Sequence, residues 1–177
     1  ISALAVMLVA VAGIGWTIHL DRLQSAMPAI LDISTDFIDP PHFSAAFASR
    51  HSSADASLVY ADKTAADGQA LPELQTRYYP QITSLHLDEP VELAFDRALE
   101  IARDDGWRIG TAARQAGMFE AGAESLWFGF RDDMVVRIRP DAAGGSVVDV
   151  RSLARQPAHD MGRNARRVAV FLEALAA

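Results

Sequence analysis

The sequence predicts an α+β protein: an apolar N-terminal helix, then an antiparallel sheet with its helices on one face. Three observations carry this. Residues 1–20 run without Asp, Glu, Lys or Arg. In the second half, two segments place apolar residues at helical spacing. Between them lie four stretches in which apolar and polar residues alternate, joined by glycine-bearing turns. With one short strand ahead, the order is β-α-β-β-β-β-α, as expected of strands that meet their neighbours through hairpins.

The first element is Ile1 to Leu20, with Trp16 and His19 at its exit. Twenty helical residues span roughly 30 Å, the thickness of a bilayer's hydrocarbon core. A cleaved signal peptide would begin with basic residues and carry a shorter apolar stretch, so a transmembrane anchor is the expectation. Residue 1 is Ile rather than Met, which suggests that more chain, with more spans, precedes it. Arg22 is the lone base in the twenty residues after the helix. Cytoplasmic flanks usually carry more, so the soluble part is expected on the periplasmic side of a bacterial inner membrane.

Residues 21–79 read as an extended arm and a long loop. Pro40 and Pro41 forbid helix and hold Asp39 extended, and Phe37, Ile38 and Phe43 are apolar enough to pack on a folded surface. Residues 44–76 are rich in Ala, Ser and Asp, with little periodicity. Residues 80–177 form the folded α+β domain. Its first strand reads from about Ile82 to Leu87, where Ile82, Ser84 and His86 alternate with Leu85 and Leu87. Val91, Phe95, Ala98, Leu99 and Ala102 mark one helical face, and Ala165, Val168, Leu172 and Leu175 another. The four strands between are placed at Trp107–Arg114, Met118–Leu126, Met134–Arg139 and Ser146–Ala154.

Half of the residues are hydrophobic, so a packed core is within reach and global disorder is excluded. There is no cysteine, which removes disulfides, thiolate metal sites and cysteine nucleophiles. The net charge of −7 sits in the first hundred residues, where 13 acids face 5 bases; residues 101–177 hold 10 acids and 11 bases. A balance of +1 is too small for a nucleic-acid surface. The nucleophile-elbow, zinc-helix, phosphate-loop and dinucleotide patterns are missing. His19, His42, His51, His86 and His159 lack metal-ligand spacing. No cofactor, metal or catalytic residue is expected.

Two groups of residues remain as candidates for binding. Trp127, Phe128 and Phe130 precede Arg131-Asp132-Asp133 in what reads as a strand connection, its aromatics filling the core or forming a recognition patch. Arg163, Arg166 and Arg167 stand at the start of the last helix, where the dipole disfavours each cation by roughly 0.3–1 kcal/mol. Either Asp132, Asp133 or Asp149 pairs with them, or they bind phosphate or a lipid headgroup; Arg137, Arg139 and Arg151 on neighbouring strands extend either arrangement.

Several blocks resemble a known family: Asp32-Ile33-Ser34-Thr35-Asp36, Asp39-Pro40-Pro41-His42-Phe43, Tyr79-Pro80-Gln81-Ile82, Trp127 to Asp133, Val148-Asp149-Val150-Arg151-Ser152, and Asp160 to Arg167. Their order and spacing resemble the bacterial and plastid "domain of unknown function 1499" (DUF1499) family, over about residues 30–175. The resemblance is to the membrane-anchored alphaproteobacterial members, which carry one or several helices before the domain. Ala154 to His159 departs from the family's Ser-Arg-x-Gly-x-Ser pattern. The family implies no reaction or cofactor. The expectation is therefore a non-catalytic, membrane-anchored accessory or scaffold protein, a small subunit of a respiratory or photosynthetic complex. Its partners would be the lipid bilayer and other membrane proteins. The alternatives are an envelope module that binds anionic lipid headgroups and, less favoured, a hydrolase using Asp132, Asp133 and His159.

Overall fold

The computed structural model describes residues 30–47, 60, 64–65, 68–124, 131–155 and 162–177. Their core is a six-stranded sheet in which every pairing is antiparallel. Strand β1 is Asp32–Ser34, β2 Leu85–Leu87, β3 Arg108–Ala113, β4 Met118–Glu124, β5 Arg131–Pro140 and β6 Ser146–Ala154. The spatial order is β1-β6-β5-β4-β3, and β2 pairs with the other end of β6. The described residues also form helices α1 (Leu71–Tyr78), α2 (Val91–Asp104) and α3 (Arg163–Ala176).

Strand alternation divides the sheet into two unlike faces. Phe119, Ala121 and Ala123 of β4, Met134, Val136 and Ile138 of β5, and Val148 and Val150 of β6 belong to one core. Helices α2 and α3 cover that face with Ala94, Phe95, Ala98, Ala102, Val168, Phe171 and Leu175. The Phe95 ring meets Phe119 edge-on at 5.8 Å, and Phe171 stacks on Trp107 at 4.9 Å. The helical spacing in the sequence marks these faces because a surface helix buries a single apolar stripe. Glu92 in its first turn and Arg103 in its last suit the dipole of α2.

The turns follow from backbone demands. Between β3 and β4 a 3-10 turn, Arg114–Ala116, ends at Gly117 with φ +61°. A Cβ at Gly117 would collide with the carbonyl oxygen of Ile138, so glycine is needed twice over. The β5–β6 hairpin closes through Asp141, whose carboxylate accepts the Ala143 amide at 3.0 Å.

Three expectations need correcting. The arm supplies a sixth strand, β1, where five strands were expected; three residues are too few for alternation to show. Residues 71–78 are a helix, not loop; α1 buries only Leu71, Leu74 and Gln75, so its period was faint. Strand β5 begins at Arg131 instead of Met134, so Asp132 and Asp133 are buried strand residues and not part of the connection before it. Among the described residues no helix is long and apolar enough to cross a membrane. The expected span, residues 1–20, lies outside the described residues.

Candidate functional site: the charged face of the sheet

The second face of the sheet is charged and covered. Asp133, Val135, Arg137 and Arg139 of β5 alternate with core residues, and their cross-strand partners on β6 include Asp149, opposite Arg137, and Arg151, opposite Val135. On β1, Asp32 lies opposite Leu153 and Ser34 opposite Arg151. Phe43 and Phe47 of the arm pack on Val135 and Leu153, closing an apolar patch among the charges.

Asp149 is fully buried and organises one end of this face. One carboxylate oxygen accepts from Arg139 at 2.7 Å and Arg137 at 3.1 Å. The other accepts the Ser84 hydroxyl at 2.6 Å and that of Thr35 at 3.4 Å. Arg137 also reaches the Asp39 carboxylate at 2.9 Å and the Asp39 carbonyl at 2.6 Å. Asp36 links chain to cluster: one oxygen accepts the amides of Ile38 and Asp39, the other lies 3.3 Å from both guanidinium groups. Burial opposes the charge on Arg139, but its hydrogen bond to Asp149 and the fields of Asp149, Asp36 and Asp39 outweigh that and raise its pKa.

Beside this cluster, Arg151 and Asp32 form a two-bond pair at 2.9 and 2.8 Å. The Arg151 guanidinium lies 5.6 Å from the Phe43 ring centroid and 5.5 Å from that of Tyr60, a double cation–π contact. Burial pushes the Tyr60 hydroxyl above its ordinary pKa; Asp32 adds to the rise and Arg151 opposes it. That hydroxyl donates to Gln75 Oε1 at 3.0 Å. The Gln75 amide in turn receives the Ser34 N–H at 2.9 Å and donates to the Ser34 carbonyl at 2.7 Å. One side chain of α1 thus satisfies both outward backbone groups of Ser34 as a further strand would.

At the far end, Asp132 turns to the helix face and Asp133 away from it. Asp132 accepts from Arg163 at 3.0 and 2.9 Å and from Arg167 at 2.5 Å. This buried carboxylate offsets the unfavourable dipole of α3 for two of its arginines. Asp133 accepts Arg155 Nε at 3.0 Å and Nη2 at 2.5 Å. Arg166 is exposed. Trp127, Phe128, Phe130 and His159 lie outside the described residues. His86 sits 2.6 Å from Asp141, and His42 is exposed.

Residues 32–175 match the family described as "Protein of unknown function (DUF1499)". The chain belongs to that family. The DUF1499 match begins on the first residue of β1 and ends inside α3, so it takes in the arm strand as well as the sheet. No curated protein matches the chain. Three of the blocks that carry the family resemblance, remote in sequence, meet on this face: Asp32, Thr35, Asp36 and Asp39 from the arm with Asp149 and Arg151 of β6.

Sequence reasoning missed Asp32, Asp36, Asp39, Gln75, Arg108 and Arg155. Charged residues spaced by two in an otherwise apolar strand, Asp149 and Arg151, were the available signal. Such spacing puts both charges on one face of a buried strand, where each needs a partner.

Where the DUF1499 sheet ends near Arg131 and Arg155, its charged face opens into a cleft of about 320 Å³. Arg108, Arg131 and Arg155 border it, Gly110 and Gly122 form its floor, and Phe47 is one wall. A second depression, about 560 Å³, lies by the start of α2 between Gly117 and Gly145. Among the described residues no group of three His, Asp or Glu could hold a metal ion. Guanidinium groups stay charged at any physiological pH, so the arginines that border the cleft are hydrogen-bond donors and not proton-transfer groups.

Proposed function

We propose that the chain is a non-catalytic accessory protein tethered to a membrane, its DUF1499 domain held at the surface to contact a larger membrane assembly. One observation carries this: residues 1–20 are free of charge over a length that matches a bilayer core. The sparse basic residues after it favour the periplasmic side of a bacterial inner membrane, and a respiratory or photosynthetic complex is the partner class proposed.

The paired charges support a binding or scaffolding role over catalysis. Asp132 and Asp133 serve a hydrolase poorly, because each carboxylate already holds a guanidinium group and they face opposite sides of the sheet. Extraction in mild detergent followed by native electrophoresis tests the proposal. Migration in a complex, resistance of the membrane fraction to alkaline carbonate, and protease access from the periplasm are expected. Release by carbonate, or migration as a lone monomer, would overturn it.

A further inference from the structure

We infer that the cleft bordered by Arg108, Arg131 and Arg155 binds a phosphate group, either free or as the headgroup of an anionic lipid. The inference is independent of the anchor and the partner complex.

Three separate elements bring these arginines together: β3, the start of β5 and the residue after β6. Each guanidinium offers a planar fork of N–H donors suited to two oxygens of a phosphate. In a chain of net charge −7, three guanidinium groups converge on this one cleft, with Glu124 and Asp133 among the carboxylates that meet them. Glu124 is divided: it pairs with Arg108 and lies 3.8 Å from Arg131. Arg108 and Arg131 are 67% and 57% exposed, so these pairs are weak and an incoming anion of higher charge can displace the shared carboxylate.

The floor admits such an anion. Gly110 and Gly122 leave backbone alone at the base of the cleft, and a side chain at 122 would begin 3.7 Å from Arg155 Nη2. At Gly110 a Cβ would press on the Phe47 ring at 3.1 Å, so glycine there lets Phe47 stand as the apolar wall. The buried Asp133 holds Arg155 much as the buried Asp132 holds Arg163 and Arg167, so the exposed Arg108 and Arg131 carry the binding and Arg155 completes the border of the cleft.

The experiment uses the full chain in a neutral detergent, titrated at constant ionic strength and followed by calorimetry. The titrants are inorganic phosphate, dihexanoyl phosphatidic acid and, as control, dihexanoyl phosphatidylcholine. Saturable binding of phosphate or of phosphatidic acid, without binding of phosphatidylcholine, is expected. Binding of both identifies a free-phosphate site; binding of phosphatidic acid alone identifies a lipid headgroup site. The double variant Arg108→Gln/Arg131→Gln should weaken binding at least about tenfold. Gly122→Val, which keeps all three arginines and fills the floor, should weaken it as much, with Arg166→Gln unchanged. Thermal melts establish that each variant is folded. No saturable binding of either phosphate compound, or folded cleft variants that bind like the unaltered chain, would overturn the inference.

Discussion

Arg151 and Asp32, 119 positions apart, meet in a two-bond ion pair of which neither member is more than 1% exposed. A pair so deeply buried gives little net stability over an apolar one, but breaking it strands a charge. Asp32→Ala is expected to destabilise the domain by about 3–5 kcal/mol, and the double change Asp32→Leu/Arg151→Met by much less. Denaturant unfolding of the three proteins measures the difference. Equal losses in single and double variants would show that packing against Phe43 and Tyr60, not charge, holds the arm.

Gln75 offers a cleaner hydrogen-bond test. Gln75→Ala leaves both backbone groups of Ser34 and the Tyr60 hydroxyl without this partner, at a cost of about 1–3 kcal/mol. Gln75→Glu cannot donate to the Ser34 carbonyl and is expected to destabilise too. Amide exchange of Ser34 should accelerate in Gln75→Ala, ahead of amides in the β4–β5 ladder, and less in Gln75→Glu, whose carboxylate still accepts that N–H.

Asp132 holds the start of α3 on the sheet. Asp132→Ala should cost about 1–3 kcal/mol, because Arg163 and Arg167 lose their carboxylate beside an unfavourable dipole. Arg166→Ala, at an exposed position on the same turn, should stay within about 0.5 kcal/mol. Thermal melts of the two variants distinguish them.

Acid should loosen the β5–β6 hairpin. The Ala143 amide and then the His86 side chain lower the pKa of Asp141. A carboxylate lowered in the folded state adds stability above its unfolded pKa of about 3.9, and that stability disappears as pH falls through the folded value. In Asp141→Asn, the fall in melting temperature below about pH 4 should be shallower. An unchanged acid limb would remove Asp141 from the account.

Alkali should reach Tyr60 last. Its folded pKa is raised, so its contribution is complete below the unfolded value of about 10 and is lost as pH rises through the folded one. Absorbance at the tyrosinate band should show one of the three tyrosines ionising only with unfolding, a step missing from Tyr60→Phe.

The parts of this fold visible in sequence are those set by local periodicity. Helices α2 and α3 and strand β6 could be placed because each buries one regular set of apolar residues. Residues 71–78 could not, since eight residues with two buried leucines make too short a pattern, and what α1 contributes most distinctively is a polar side chain, Gln75. Asp132 and Asp133 were legible as ion-pair partners through their charge, but their inclusion in β5 was not, because two adjacent acids resemble a turn.

By itself the sequence determined the α+β class, the charge-free stretch at residues 1–20, the membership in DUF1499 suggested by its blocks, and the need for something to neutralise the arginines of α3. The tertiary structure alone decided which charges meet: Asp132 with Arg163 and Arg167, Asp133 with Arg155, Asp149 with Arg137 and Arg139, Asp32 with Arg151. It also placed Arg108, Arg131 and Arg155 around one cleft. The reason is physical. Apolar burial is non-directional and repeats with the local backbone period, so it leaves a trace along the chain. Ion pairs need particular atoms within about 3 Å, and the register of β1 on β6 and the docking of α3 bring those atoms together.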